Sequence, residues 1–261
     1  MSQAAIILAA GKGTRMKSDL PKVLHPICSA PMVSYVMDSC RKVGCDQIIM
    51  VIGHQADVVR EVFAEDSSDV VWVEQTEQLG TGHAVMVCQE HIEKLVGPVL
   101  VLGGDGPLVR PETLDELISV HVEKSAACSL ATSILPDPAK YGRIVRDENG
   151  GLVGIVEYLD ATEEQRKINE VNVSIYCFDA QALAKALPRL ANDNAKGEYY
   201  LTDILGILAE DGGTLAAVAS VPPVDTISIN TLDELAEVDC IMAKRLGRDG
   251  CCCSEGGDCN G

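Results

Sequence analysis

The stretch from Ala4 to Leu24 constrains the chain more than any other. Ala4-Ala5-Ile6-Ile7-Leu8-Ala9-Ala10 is an unbroken apolar run. It is too short, and too uncharged at its start, to be an export signal, and it reads as a parallel strand buried on both faces. The run ends in Gly11-Lys12-Gly13-Thr14-Arg15-Met16 and then Asp19-Leu20-Pro21-Lys22-Val23-Leu24. A buried strand that opens into a glycine-rich basic loop sets backbone N–H groups and cations at the carboxyl edge of a sheet. Open α/β folds bind ligands there, and a triphosphate suits such a loop. The loop lacks the spacing of G-x-x-x-x-G-K-[ST], and Met16 stands where G-x-G-x-x-G needs its third glycine. What remains is a longer pattern, L-x-x-G-x-G-x-R-M-x4-P-K.

Charge narrows the ligand. Residues 1–37 hold Lys12, Arg15, Lys17 and Lys22 against Asp19 alone, in a chain of formal net charge −18. A cationic island in an acidic protein suits a small anion rather than a nucleic-acid backbone. No apolar run approaches the length of a membrane span, and 47% hydrophobic content places the 261 residues among globular chains. Of the 11 cysteines, Cys28, Cys40, Cys45, Cys88, Cys128, Cys177 and Cys240 are scattered through predicted elements, as reduced core thiols are. A cytoplasmic location is expected. The other four crowd into a glycine-rich tail, residues 247–261, which is expected to be disordered. Cys251-Cys252-Cys253 are consecutive, a poor spacing for a closed tetrahedral metal site.

Strands and helices alternate from Ala4 to Leu102: helix Met32–Val43, strand Gln47–Ile52, helix Ala56–Ala64, strand Val70–Val73, a polar loop Glu74–Ala84 opening a helix that runs to about Glu93, and strand Pro98–Leu102. This order predicts an α/β, Rossmann-like, doubly wound, mainly parallel sheet. The last strand empties into Gly103-Gly104-Asp105-Gly106-Pro107, where Asp105 is placed to hold Mg2+ beside a triphosphate; the competing reading, a cap for the helix near Pro111, is too distant. After helix Glu112–Glu123 the pattern turns strand-rich (Ala127–Leu135, Gly142–Arg146, Leu152–Val156, Val171–Phe178), with a hairpin turn at Asp147–Gly151. Helices Ala180–Leu187 and about Asp203–Glu210, a strand Leu215–Ala219 and a helix Thr231–Leu246 complete the chain, the last opened by a Thr231/Glu234 capping box. Asn230, just before it, is either structural or a second metal ligand. The chain to residue 246 reads as one domain.

Six motifs in one order, across roughly residues 5–232, carry a family resemblance. They are Leu8–Arg15 with Pro21-Lys22; Gln75 to Ala84; Gly104-Asp105-x-Pro107; Tyr141-Gly142-Arg143 with Glu157; Asn172; and Gly197–Asp203 with Asn230. The chain resembles the sugar nucleotidyltransferases, and within them the uridyltransferase domain of the bacterial bifunctional N-acetylglucosamine-1-phosphate uridyltransferase/glucosamine-1-phosphate acetyltransferases. Leu24-His25 and Gln78-Leu79-Gly80-Thr81-Gly82-His83-Ala84 point to that subgroup.

The resemblance implies synthesis of UDP-N-acetylglucosamine and pyrophosphate from UTP and N-acetylglucosamine 1-phosphate with Mg2+, a step toward peptidoglycan precursors. It implies that Leu8, Ala10, Gly11, Gly13, Lys22, Gln75, Gly80 and Thr81 meet the nucleotide. By the same resemblance Gly142, Glu157, Asn172, Tyr200 and Thr202 hold the sugar, and Asp105 and Asn230 bind the metal. Arg15, Lys22 and Asp105 would be catalytic. No nucleic acid, membrane or partner protein is implied. Two positions depart from the subgroup: Gly103 stands where an aromatic is usual, and Asn172-Val173-Ser174 replaces Asn-Thr-Gly. No hexapeptide repeat follows Leu246, so the acetyltransferase activity is expected to be absent from this chain. The alternatives are transfer to another sugar 1-phosphate, such as glucose 1-phosphate, and a catalytically silent nucleotide-sugar-binding protein.

Overall fold

The computed structural model describes residues 3–194 and 196–248. The expected tail lies almost wholly outside these, and so do Cys251, Cys252, Cys253 and Cys259. The chain opens with β1 (Gln3–Leu8), a two-residue hairpin β2 (Pro26–Ile27) and β3 (Ala30–Pro31), and helix α1 (Met32–Lys42). Then come β4 (Cys45–Ile52), α2 (Ala56–Val62), β5 (Val70–Glu74), α3 (Thr81–Met86), α4 (Gln89–Ile92), β6 (Pro98–Gly103) and α5 (Pro111–Glu123). The second half holds β7 (Cys128–Ile134), β8 (Arg143–Arg146), β9 (Leu152–Val156), α6 (Glu163–Arg166), β10 (Glu170–Asp179), α7 (Ala180–Ala186), α8 (Ile204–Glu210), β11 (Leu215–Val218) and α9 (Leu232–Arg245).

The strands form one sheet in the order β11-β7-β10-β6-β1-β4-β5, with β8 and β9 continuing from the end of β10. Along that path only β10 runs against its neighbours, so the sheet is mainly parallel, as expected. Successive residues of a strand face opposite sides, and here that parity builds two cores. Ala5, Ile7, Ile48, Met50, Leu100 and Leu102 pack under α1, α2, α5 and α9. Ile6, Ile49, Val51, Val99 and Val101 pack under α3, α4, α7 and α8. This is why Ala4–Ile7 reads as a continuous apolar run: both faces are covered.

The sheet order decides where a ligand sits. From β1 the chain winds outward to β4 and β5, then crosses back to pair β6 with the other side of β1. The carboxyl ends of β1 and β6 therefore flank a topological switch point, and their loops diverge to leave a crevice.

Local differences from the sequence expectation have local causes. The helix expected to reach Glu93 breaks at Val87-Cys88 into α3 and α4, and the Cys88 thiol donates to the Ala84 carbonyl in place of a continuous ladder. The β2–β3 hairpin turns on Cys28 and Ser29, both at positive φ, where glycine or asparagine would have signalled it. Helix α6, absent from the expectation, is a single turn held by a Thr162/Gln165 capping box.

Candidate active site

The loops at the switch point enclose a cavity of about 520 Å³. Twelve of the residues expected at a site line it: Leu8, Ala10, Gly11 and Lys22; Gln75, Gly80 and Thr81; Asp105; and Glu157, Asn172, Tyr200 and Thr202. The remaining four, Gly13, Arg15, Gly142 and Asn230, lie outside this lining: Gly13 and Gly142 adjoin residues that are part of it, Asn230 is bonded to Lys22, and Arg15 is bonded to Asn230.

Two of the lining residues, Lys22 and Asp105, meet Asn230 and Arg15 beside the cavity. Lys22 Nζ donates to Asp105 Oδ2 at 2.6 Å and to Asn230 Oδ1 at 2.7 Å, and Arg15 Nη2 donates to the same Asn230 oxygen at 2.9 Å. Each partner is held from behind. Gly13, at φ +60°, passes beside the Lys22 stem, and a Cβ there would lie 2.7 Å from Lys22 Cβ, so this glycine leaves room for the lysine. The Gly104 N–H donates to the Leu8 carbonyl, and the Ile229 N–H donates to the Asp105 carbonyl, which sutures three separate loops. Asn230 donates its amide N–H₂ to Ser228 O, which turns Oδ1 toward the cations. The Asn230 backbone N–H goes to Glu234 of the Thr231 capping box, so α9 anchors the residue. No side chain caps the start of α5, which removes the capping alternative for Asp105.

Asp105 and Asn230 therefore present a carboxylate and an amide oxygen to one point. Hard oxygen donors in that small number suit Mg2+, which keeps most of its shell for water and phosphate oxygens. Among the described residues there is no cluster of three or more His, Cys, Asp or Glu placed to hold a metal by themselves.

On one side of the cavity the loops are built by backbone. Gln75 is buried, and its Nε2 bonds Gly80 O at 3.1 Å and sits 3.1 Å from His83 Nδ1. Gly80 is at φ +110°, and a Cβ there would meet Tyr199 O at 2.6 Å; one on Gly82 would meet the same oxygen at 2.8 Å. That close approach allows Gly82 N–H to donate to Tyr199 O, Tyr199 N–H to Leu79 O, and Leu201 N–H to Thr81 Oγ1. Gly53 does the same under Ala10, where a Cβ would lie 2.9 Å from the carbonyls of Ala10 and Gln75. Sequence reasoning missed Gly53; its one signal is a glycine closing the buried run Ile48–Ile52.

On the other side the lining is polar side chains held in low-dielectric surroundings. Asn172 donates Nδ2 to Tyr176 Oη at 2.6 Å and accepts from Ser174 N–H at 3.0 Å. Thr202 Oγ1 donates to Glu157 Oε1 at 3.3 Å, and burial raises the Glu157 carboxyl above the ordinary range. Tyr200 lines the cavity with its hydroxyl buried and without a hydrogen-bond partner. Gly142 lies next to Glu157, and a Cβ there would come 3.0 Å from Ile155 Cγ2 and into ordinary contact with the Glu157 carboxylate. Arg143 is turned away entirely. Only 1% exposed, it donates to the carbonyls of Pro138, Ala139, Tyr141 and Arg166 and holds the loop before β8. Lys196, which sequence reasoning passed over, also lines the cavity, with Nζ 5.9 Å from the Tyr200 ring centre.

Both departures from the subgroup fall here. Ser174 occupies φ +58° at a bulge in β10, a conformation that costs a serine backbone strain and a glycine none. Gly103 lines the cavity at the end of β6, and a Cβ there would lie 2.6 Å from Asp105 Oδ1.

This geometry has counterparts. A family model described as nucleotidyl transferase matches residues 4–221. The chain belongs to the nucleotidyl transferase family. It is 45% identical over 242 residues to the bifunctional protein GlmU of Brevibacillus brevis, and 47% identical over 246 residues to that of Geobacter metallireducens. These matches cover 93% and 94% of this chain but 52% of each relative, so the chain spans about half their length. A solved UDP-glucose pyrophosphorylase, complexed with UDP-glucose, superposes with a TM-score of 0.76 at 19% identity, covering 94% of this chain and 100% of that one. At that identity the likeness speaks for the fold, which is that of a sugar nucleotidyltransferase. Among the described residues no helix is long and apolar enough to cross a membrane.

Proposed function

We propose that this nucleotidyl transferase couples UTP to N-acetylglucosamine 1-phosphate, releasing UDP-N-acetylglucosamine and pyrophosphate. The observation that carries the reading is that Lys22 and Asp105, which line a cavity with two unlike sides, are bonded to each other and, through Lys22, to Asn230 and its partner Arg15. The Gln75 and Gly80-Thr81 side offers backbone and amide groups to a base, and the Glu157, Asn172, Thr202 and Tyr200 side offers hydroxyl and amide partners to a sugar. The motif resemblance to the uridyltransferase domain, and the identity to GlmU proteins, support uracil and the N-acetylated sugar within that frame.

The chemistry asks little of side chains as acids or bases. A phosphate monoester has its second pKa near about 6, so the attacking oxygen is already ionised at neutral pH. It forms a bond to the α-phosphorus of UTP while the bond to the bridging α–β oxygen breaks, and that electron pair leaves on pyrophosphate. No proton needs to move. Lys22 and Arg15 hold and neutralise the phosphates, and Asp105 and Asn230 would hold Mg2+, whose charge offsets the negative charge gathering on the leaving group. The five buried thiols (Cys40, Cys45, Cys88, Cys128 and Cys177) take no part; burial pushes Cys88 up to about 12. Such thiols suit the reducing cytoplasm, where we place the protein.

The test is pyrophosphate release with UTP and Mg2+, comparing N-acetylglucosamine, glucosamine and glucose 1-phosphates. Preference for the N-acetylated sugar, with turnover reduced at least about 100-fold in Asp105→Ala, is the expected outcome. Release with none of the sugars, despite saturable nucleotide binding, overturns it in favour of a silent binding protein.

A further inference from the structure

Lys22 does more in the cavity lining than point at a phosphate. Its ammonium bonds Asp105 Oδ2 and Asn230 Oδ1 at once, at 2.6 and 2.7 Å, so it stands where a cation shared by those two oxygens must stand. The pair is sheltered, with 11% of the Lys22 and 29% of the Asp105 side chain exposed, which leaves its attraction only partly screened. Neither oxygen is free to serve an ion elsewhere at no cost. Asn230 is oriented by its bond to Ser228 O, and the Asp105 backbone is held by Ile229 N–H. Gly103 adds to this, because Asp105 Oδ1 occupies space that any side chain at position 103 would claim.

We infer that Lys22 is an internal competitor for the divalent-cation site: it holds the Asp105 and Asn230 oxygens in the nucleotide-free protein and yields them when a phosphate chain draws its ammonium away. The inference rests on the metal site of the proposed reaction. It makes one residue serve two states, first as the placeholder of the cation and then as the partner of the phosphates. Metal then enters with the nucleotide rather than ahead of it. The consequence runs against the usual expectation for a residue of the machinery, since removing Lys22 must improve metal binding while harming turnover.

The experiment is a titration of the full chain with Mn2+ alone, reading the free aquo ion by electron paramagnetic resonance. Lys22→Met is expected to bind Mn2+ about tenfold more tightly than the unaltered protein, the scale set by loss of one close, sheltered charge competitor. Lys22→Arg, which keeps a cation, stays near the unaltered value. Lys22→Gln gives the same reading as Lys22→Met if the latter fails to fold, as judged by thermal melting. Equal or weaker Mn2+ binding in the neutral variants, with that binding still abolished by Asp105→Asn, overturns the inference alone. Mn2+ binding that is indifferent to Asp105→Asn overturns the metal site itself, and the inference with it.

Discussion

The two sides of the cavity are made by different means. The side that we assign to the nucleotide is a backbone construction: Gly53, Gly80 and Gly82 each bring a loop so close to a carbonyl oxygen that a Cβ would lie 2.6–2.9 Å from it. The side that we assign to the sugar is a set of polar side chains, Asn172, Tyr176, Glu157 and Thr202, with the buried Arg143 holding the loop behind it. The backbone wall leaves no room for a side chain at its glycines and joins segments distant in the chain, such as Gly82 and Tyr199, while the polar wall pairs Asn172 with Tyr176 nearby and Glu157 with Thr202 farther off. The first should bind one base shape. The second can be retuned one residue at a time, and both departures of this chain from its resembling subgroup, Gly103 and Ser174, border it.

Breaking the polar wall at its support should give the largest effect on stability. Arg143→Ala removes a buried guanidinium from several carbonyls and leaves a void. It should cost about 3 kcal/mol in urea denaturation. An unchanged midpoint would mean that the loop before β8 holds itself.

A smaller effect of opposite sign sharpens the comparison. Ser174→Gly relieves a left-handed backbone and should stabilise the protein by about 1 kcal/mol, read as a higher denaturation midpoint. Loss of stability instead would show that the serine side chain contributes more than its strain costs.

The smallest expected effect concerns Glu157, whose carboxyl is raised by burial. A raised folded-state value makes its contribution full at pH below the unfolded carboxyl value and lost as pH rises through the folded one. Glu157→Gln should therefore be the more stable protein at pH 7, with the gap closing as pH falls below about 4, near the ordinary carboxyl range. A gap independent of pH, followed by thermal melting, would assign the effect to packing rather than charge.

The contrast also explains what the sequence disclosed. The first four strands of the parallel half, the switch-point loop and the glycines at 13, 80 and 82 were legible, because backbone requirements write themselves as glycine at particular spacings and burial on two faces writes itself as runs such as Ile48–Ile52. Asp105 was legible as a carboxylate following a buried strand. On the polar side, Tyr176 joins Asn172 only because the bulge at Val173-Ser174 resets the strand, and Lys196 reaches the cavity because the Tyr199 backbone is pinned to Leu79 and Gly82. Arg143 looked like part of a site motif and proved to be its scaffold. The placements of Tyr176 and Lys196 do not follow from local pattern, since each depends on pairing with segments distant in the chain, whereas Arg143 is held mostly by carbonyls of the loop just before it.

The division itself is the central claim, and separate Michaelis constants test it most directly. Pyrophosphate release would be measured for Gln75→Ala and Asn172→Ala while UTP and the sugar 1-phosphate are varied in turn. The account predicts that Gln75→Ala raises KM for UTP by about tenfold with little change for the sugar, and that Asn172→Ala does the reverse, each losing about one buried hydrogen-bonding partner of its own ligand. If both variants weaken both substrates alike, the cavity does not divide at β1 and β6, and the assignment of its two sides is wrong.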